Sequence, residues 1–312
     1  MYLLTGSTGF IGSSLVKRLE HGVRCVVRSR KEEFTSGFEK FDIDSLTTHT
    51  NWSGAFDGVT TVIHLAARAH VLRDEAADPL MMFRQVNTAA TLHLAREAAI
   101  GGVKRFVFLS SIGIYGNQDS QPISERTLPH PAEPYAVSKF EAEAGLRQVA
   151  KETGLEVTII RAPLVYGPNA PGNFGRLADA VLRGVRLPLG AIRNKRSFIA
   201  LDNLVDFICL CAWHPKAANE TFVIADGEDV STPDLVRRMA NAFGKPTRLI
   251  SVPSFLLRLG ATLFGNRSSA EKLLGTLLID VTKARELLDW CPLITMDEQL
   301  SQIAKGLEDG HS

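Results

Sequence analysis

Tyr135 and Lys139 stand four residues apart in "EPYAVSKFEAEAG", residues 133–145. On a helix this spacing puts a phenol and an ammonium on one face, one turn apart. A phenol ordinarily titrates near pH 10, so ionising it at pH 7 requires roughly 4 kcal/mol of help. A neighbouring cation can supply part of that help. A phenolate so placed takes a proton from a hydroxyl, and a phenol returns one. The same residues also suit a plain amphipathic helix behind a proline turn, so the rest of the chain must decide.

A second chemical signal is "TGSTGFIG", which places Gly6, Gly9 and Gly12 directly after the apolar run "YLLTG" and at the start of a helical pattern. Glycines there allow a tight turn, close backbone approach to a pyrophosphate and close helix–strand packing. The helix start offers free N–H groups to phosphates. Thr8, Phe10 and Ile11 share this loop and are candidate cofactor contacts. The spacing is GxxGxxG rather than GxGxxG. The second strand, "RCVVRS", closes on Arg28, Ser29 and Arg30, where an NAD site would place an acid for the ribose 2′-hydroxyl. An arginine there suits a 2′-phosphate, so NADP is expected ahead of NAD. Asp42 and Ile43 in "KFDIDSL" would close the third strand near the adenine.

These groups need a scaffold, and the first half of the chain describes one. "YLLTG", "RCVVRS", "TTVIHLAA", "KRFVFLSS" and "LEVTIIRAP" read as buried strands, with helical stretches such as "GSSLVKRLEHG", ending at Gly22, and "QVNTAATLHLAREAAIGG" between them. Strand–helix alternation predicts an α/β fold, a Rossmann doubly wound parallel sheet. Past Arg161 the loop-rich "APLVYGPNAPGNFG" breaks the pattern. "RSFIALDNLVDFICLCAW" reads as a strand and helix returning to the sheet. The expected division is a nucleotide domain over 1–165 with 197–225 returning to it. A smaller, mainly helical C-terminal lobe takes 166–196 and 226–312. The apolar "FLLRLGATLF", residues 255–264, is expected to pack on the body as a helix, with a membrane-surface contact as the lesser alternative.

Composition narrows the partners. A net charge of +1 gives no reason to expect nucleic acid. No apolar run reaches the ~18 residues of a membrane span. Cys25, Cys209, Cys211 and Cys291 lack zinc or disulfide spacing, and the histidines lack paired ligand spacing, so no metal is expected and a reducing cytoplasmic setting fits.

Taken in order, "TGSTGFIG", "VIHLAA", "FVFLSSIGIYG", "PYAVSK" and "RAPLVYGP" resemble the extended short-chain dehydrogenase/reductases. The nearest branch is the nucleotide-sugar epimerases and dehydratases, and the resemblance covers nearly the whole chain. It implies that Tyr135 is the base, that Lys139 tunes it and anchors the nicotinamide ribose, and that Ser111 hydrogen-bonds the reacting oxygen. It places Ser110, Leu65, Ala66, Ala67 and Pro163 beside the dinucleotide. Asn87 would steady the catalytic strand, although an asparagine can also simply bend a helix. For a UDP-linked sugar it implies contacts from Ile112, Asn173 and Leu187, the last in a strand bracketing uracil, and from Arg196 on the diphosphate. Arg267 and Lys272 are candidates for a second diphosphate cation. Homodimers are common in the family, and the helix starting at Tyr135 would contribute to one.

Dehydratases of this family carry an Asp–Glu pair just after the strand's serine or threonine. Here Ile112 and Gly113 occupy those places, and neither transfers a proton. Two reactions stay open: a UDP-sugar 4-epimerase that keeps its cofactor, or a 4-keto-6-deoxy-sugar reductase that consumes NADPH. The stretches "RLPLGAIRNKRSFIALDNLVDFI" and "DGEDVSTPDLVRRMA" resemble a bacterial surface-polysaccharide subgroup containing both. A non-catalytic NADP-binding sensor of the same fold is the alternative from another class. Such proteins commonly lose the tyrosine or lysine, and both are intact here.

Overall fold

The alternating pattern becomes seven parallel strands in the computed structural model, which describes residues 1–28, 38–69, 78–116, 121–263, 271 and 273–309. The strands are β1 (Tyr2–Thr5), β2 (Val23–Arg28), β3 (Glu39–Ile43), β4 (Thr61–His64), β5 (Arg105–Ser111), β6 (Glu156–Ala162), short β7 (Val165–Tyr166), β8 (Arg196–Ser197) and β9 (Ile199–Ala200), then β10 (Thr221–Val223) and β11 (Asp229–Val230). The main sheet has the order β10-β6-β5-β4-β1-β2-β3. The chain winds outward from β1 to β3, then returns to β4 and winds the other way. The reversal falls between β1 and β4, and such a crevice at the strands' carboxyl ends is where doubly wound sheets bind ligands.

Helices cover both faces. On one, α1 (Phe10–Leu19) and, after four helices introduced below, α6 (Leu201–Trp213) bury Leu15, Leu204 and Phe207 against Leu4, Ile63 and Val107. The opposite face begins with α2 (Pro79–Phe83), continues through a π-helical turn (Arg84–Ala89) into α3 (Ala90–Ile100), and ends with α4 (Pro134–Thr153). Leu94 and Leu146 pack there on Val62 and Phe106. Pro134 occupies the first turn of α4, where its missing N–H costs nothing. Gly154 stops the helix in the left-handed region at φ 78°, donating to the Ala150 carbonyl. A separate core forms from α5 (Gly172–Leu182) and α7 (Thr232–Ala242), joined, after α8 (Ser254–Leu263) and α9 (Thr282–Leu288), by α10 (Met296–Asp309). It centres on Phe174, Phe198, Leu235, Met239 and Leu300. Asp226 ties this lobe to the sheet domain. It accepts from Tyr166 Oη at 2.7 Å, Asn203 Nδ2 at 2.7 Å and the Ala200 N–H at 3.0 Å.

Three expectations need correction. The strand that completes the sheet is β10, not "RSFIA": β9 pairs only with β7 in a two-stranded ribbon. At three residues β10 is too short to show a period. Helix α1 stops at Leu19 rather than running to Gly22. Helix α8 does not lay its apolar side on the body. Leu257 reaches the lobe core, but Phe255 is 66% exposed and Leu259 57%.

Glu143 of α4 is fully buried and holds β5 and β6 together from above. It accepts from Arg161 Nη2 at 2.6 Å and Nε at 3.0 Å, and from Ser110 Oγ at 2.6 Å. Arg161 and Ser110 are sheet neighbours in register. Removing one member of a buried pair leaves the other charge uncompensated, so Glu143→Ala should lower unfolding free energy by about 3–5 kcal/mol. Urea titration measures the loss, and a double variant with Arg161→Met should recover part of it.

Candidate active site

The glycine loop closes β1 at the switch point. Gly6 has φ 76°, a left-handed conformation that favours glycine. A Cβ on it would lie 2.8 Å from the Ala66 backbone nitrogen. A Cβ on Gly12 would collide with the Gly6 carbonyl. The residues after β4 therefore pass directly over the loop, and Leu65 and Ala66 are pinned to Thr5 by backbone and hydroxyl bonds. Helix α1 begins at Gly9 with no side-chain cap and no acid in its first turn. Its first N–H groups, at Phe10, Ile11 and Gly12, are left for an anion, and exposed Thr8 flanks them. This donor set and the room left by missing Cβ atoms fit the pyrophosphate of a dinucleotide. Arg28 closes β2 and is exposed, paired in register with Ile43. Ser29 and Arg30 lie outside the described residues, as do Arg267 and Lys272.

Helix α4 and β5 bring the three catalytic candidates together. Tyr135 sits in the first turn of α4, half-buried, its ring edge-on to Phe83 at 6.1 Å between centroids. Ser111 ends β5, and its Oγ accepts the Gly113 N–H at 3.0 Å. A Cβ on Gly113 would lie 3.8 Å from Ala136 Cβ, so the turn after Ser111 abuts the first turn of α4. Lys139 is buried one turn below Tyr135. Its Nζ donates to the Leu109 carbonyl at 2.9 Å and lies 4.3 Å from the centre of the Phe108 ring.

The electrostatics describe the pair without a dinucleotide. Burial pushes the Tyr135 phenol up to about 12. Burial brings Lys139 down to about 7, against the opposing pull of Glu143. The chain's own groups thus hold Tyr135 as a proton donor at neutral pH. The same low polarity works against the charge of Lys139.

Several site residues take different roles from those expected. Asn87, in the π-helical turn, holds helix α4 rather than the strand. Its amide donates to Ser138 Oγ at 3.0 Å and to the Arg68 carbonyl at 3.1 Å, and accepts the Arg68 N–H at 2.8 Å. Asn87 is fully buried. The Ser110 hydroxyl is committed to Glu143, on the opposite strand face from Ser111. Ile112 turns its side chain into an apolar cluster with Ile114 and Tyr115. His64 went unnoticed in the sequence because its neighbours are polar only in space. It bridges Thr5 Oγ1 at 2.7 Å and Thr91 Oγ1 at 2.9 Å, and burial lowers it to about 3. Ala67 follows β4 and Pro163 follows β6, both at carboxyl ends of strands. Asp42 is exposed on β3.

In the lobe, Asn173 is exposed in the first turn of α5 and accepts from Arg176. Leu187 is half-buried, and its N–H and carbonyl bond Arg248 and Ile250. Its N–H and carbonyl are thus both engaged within the chain. Arg196, half-buried, donates to the Gly275 carbonyl at 2.8 Å, and no carboxylate pairs with it among the described residues. Burial lowers its guanidinium below the ordinary value. A desolvated guanidinium without a counter-charge is a seat for an anion.

With that geometry in place, comparisons become informative. Residues 2–225 match the NAD dependent epimerase/dehydratase family. The chain is 41% identical to a Vibrio cholerae UDP-glucose 4-epimerase over 97% of its own length and 94% of the relative's. A Thermotoga maritima UDP-glucose 4-epimerase, solved with UDP-glucose, shares the fold at a TM-score of 0.81 and 24% identity, covering 100% of this chain and 99% of that one. A Bacillus cereus UDP-glucuronic acid 4-epimerase, solved with NAD, does so at 0.79 and 20%, with 100% and 99% covered.

The depressed Lys139 gives a signed pH prediction for dinucleotide-free protein. Between pH 7 and about 10.5 the unfolded lysine holds a proton that the folded one has lost, so stability rises with pH there. Buried Cys25, Cys209 and Cys211 have raised pKa values and work in the other direction above about pH 9. The clean window is pH 7 to 8.5, where unfolding free energy should rise by about 1–2 kcal/mol. Urea titrations should show this rise in the native chain and its loss in Lys139→Met.

Proposed function

Since the chain belongs to the NAD dependent epimerase/dehydratase family, we propose that it is a UDP-sugar 4-epimerase that retains its nicotinamide dinucleotide. The observation that carries this reading is the contact between the turn after Ser111, at the carboxyl end of β5, and the first turn of α4, which holds Tyr135. Lys139 lies one turn further along α4, bonded to the Leu109 carbonyl of β5. The bound dinucleotide would accept a hydride from sugar C4 and return it.

Each residue's part follows from its position. Ser111 Oγ would hydrogen-bond the sugar's C4 oxygen and fix it near Tyr135. Tyr135 Oη would take the C4 hydroxyl proton as the carbon is oxidised and return it to the alkoxide on reduction. Lys139, when protonated, would lower the phenol and donate to a ribose hydroxyl. Arg196 would hold the sugar diphosphate, with Asn173 at the lobe's edge. The resemblance to dehydratases stops at Ile112 and Gly113. One is buried among apolar side chains and the other packs beside Ala136, so no acid–base pair stands there to remove water.

Arg28 supports a second reading. An exposed arginine closing β2 suits a 2′-phosphate, and hence a 4-keto-sugar reductase that exchanges NADPH each turnover. Denaturing the purified protein and identifying what is released separates the two. Stoichiometric NAD supports the epimerase. An empty protein preferring NADPH to NADH supports the reductase. In either case Tyr135→Phe should reduce turnover by about 10²–10⁴-fold while dinucleotide binding persists. Undiminished conversion of UDP-glucose to UDP-galactose in that variant would sink the assignment of Tyr135.

A further inference from the structure

Two stretches of the C-terminal half carry positive charge only. Residues 183–200 contain Arg183, Arg186, Arg193, Lys195 and Arg196, and residues 244–263 contain Lys245, Arg248 and Arg258, with no Asp or Glu in either. In a chain of net charge +1 this is a local excess that the composition hides. The fold lays the stretches side by side. The Leu187 N–H donates to the Arg248 carbonyl at 2.8 Å, Ile250 to Leu187 at 2.8 Å, and Gly190 to Ile250 at 2.9 Å. The pair is parallel, in register at Leu187 and Leu249. Those two leucines pack toward the lobe core. Strand alternation therefore sends Arg186, Arg248 and Ile250 to the outer face, and all three are exposed.

Helix α8 extends this face. Phe255, Leu256 and Leu259 are 66%, 45% and 57% exposed, and Ile250 is 45% exposed. Spacings of three and four residues put Phe255, Leu256 and Leu259 on one side of the helix, with exposed Arg258 among them. Single exposed leucines are ordinary, but four large apolar side chains within ten residues, rimmed by cations, form a contact surface.

We propose that the outer face of this strand pair and helix α8 dock on an anionic lipid bilayer. The helix would lie in the interface with its three apolar side chains at the acyl boundary. Arg186 and Arg248 would reach lipid phosphates while their stems stay among apolar groups, and Arg258 would do so by leaving Glu271, which it faces at 3.8 Å. The charge selects this occupant over a second copy of the chain. A two-fold interface would set the same basic rim against itself, and like charges across an interface oppose association.

The test is co-sedimentation of the full chain with vesicles of equal parts phosphatidylglycerol and phosphatidylcholine, and with phosphatidylcholine alone. Binding to the anionic vesicles should be about tenfold tighter or more, and should weaken as salt rises. Phe255→Ser with Leu259→Ser should reduce it by about tenfold while leaving the unfolding midpoint and sugar-nucleotide turnover unchanged. Arg186→Gln with Arg248→Gln should abolish the preference for anionic lipid. Absence of binding to the anionic vesicles overturns the proposal. So does unchanged binding by the folded serine variant. A fall in oligomeric mass in that variant would assign the face to a second copy instead.

Discussion

The arrangement of the site depends on one buried carboxylate. Glu143 lies two turns from Tyr135 and one from Lys139 along α4, so the three share a helix face. It binds Arg161 on β6 and Ser110 on β5 with short contacts inside the protein. Ser110 immediately precedes Ser111, whose side chain takes the opposite strand face. The carboxylate therefore fixes helix and strand relative to each other at the point where Ser111 and Tyr135 must meet. Asn87 and Thr88 fix the other side of the same helix through Ser138. A helix held on both flanks by buried polar bonds cannot slide without leaving charges or amides unpaired, a cost larger than any single apolar contact it would lose.

The second constraint is steric. Gly6, Ala66 and Gly12 approach so closely that only backbone atoms fit among them. That crowding brings the start of α1 and the end of β4 against β1, at the point where strand order reverses. The crevice is therefore built by the absence of side chains. The donors it offers are backbone N–H groups.

Much of this was legible because it rests on period and punctuation. Buried strands gave β-branched runs, α4 announced itself with Pro134 and Gly154, and the glycine loop stood between strand and helix. What escaped was what exists only in three dimensions. Nothing near His64 in sequence indicates that Thr5 and Thr91 would close on its ring. The role of Asn87 belongs to a π-helical turn, which has no simple residue pattern. Strand β10 holds its place by pairing with β6, not by its three residues. Leu187, expected in a strand, forms an isolated parallel bridge with Leu249, a partner about sixty residues on that has no motif. The exposed face of α8 was misread because an apolar pattern reports that a surface is to be covered, and does not say by what.

The proton-holding preferences of Tyr135 and Lys139 connect the scaffold to its chemistry. Both are pushed toward neutrality by the same apolar surroundings: the phenol keeps its proton and the ammonium tends to lose its own. Two ionisable groups held neutral beside each other do little acid–base work near pH 7. One added positive charge in the crevice favours the phenolate, and hydroxyl acceptors near Nζ favour the ammonium. On the proposed function, an oxidised nicotinamide dinucleotide would supply both at once, so burial would make the Tyr135 base contingent on the cofactor. The site would then be a weak base when it has nothing to oxidise and a competent one when hydride transfer is possible. This coupling follows from the apolar packing around Phe83 and Phe108 rather than from any added switch.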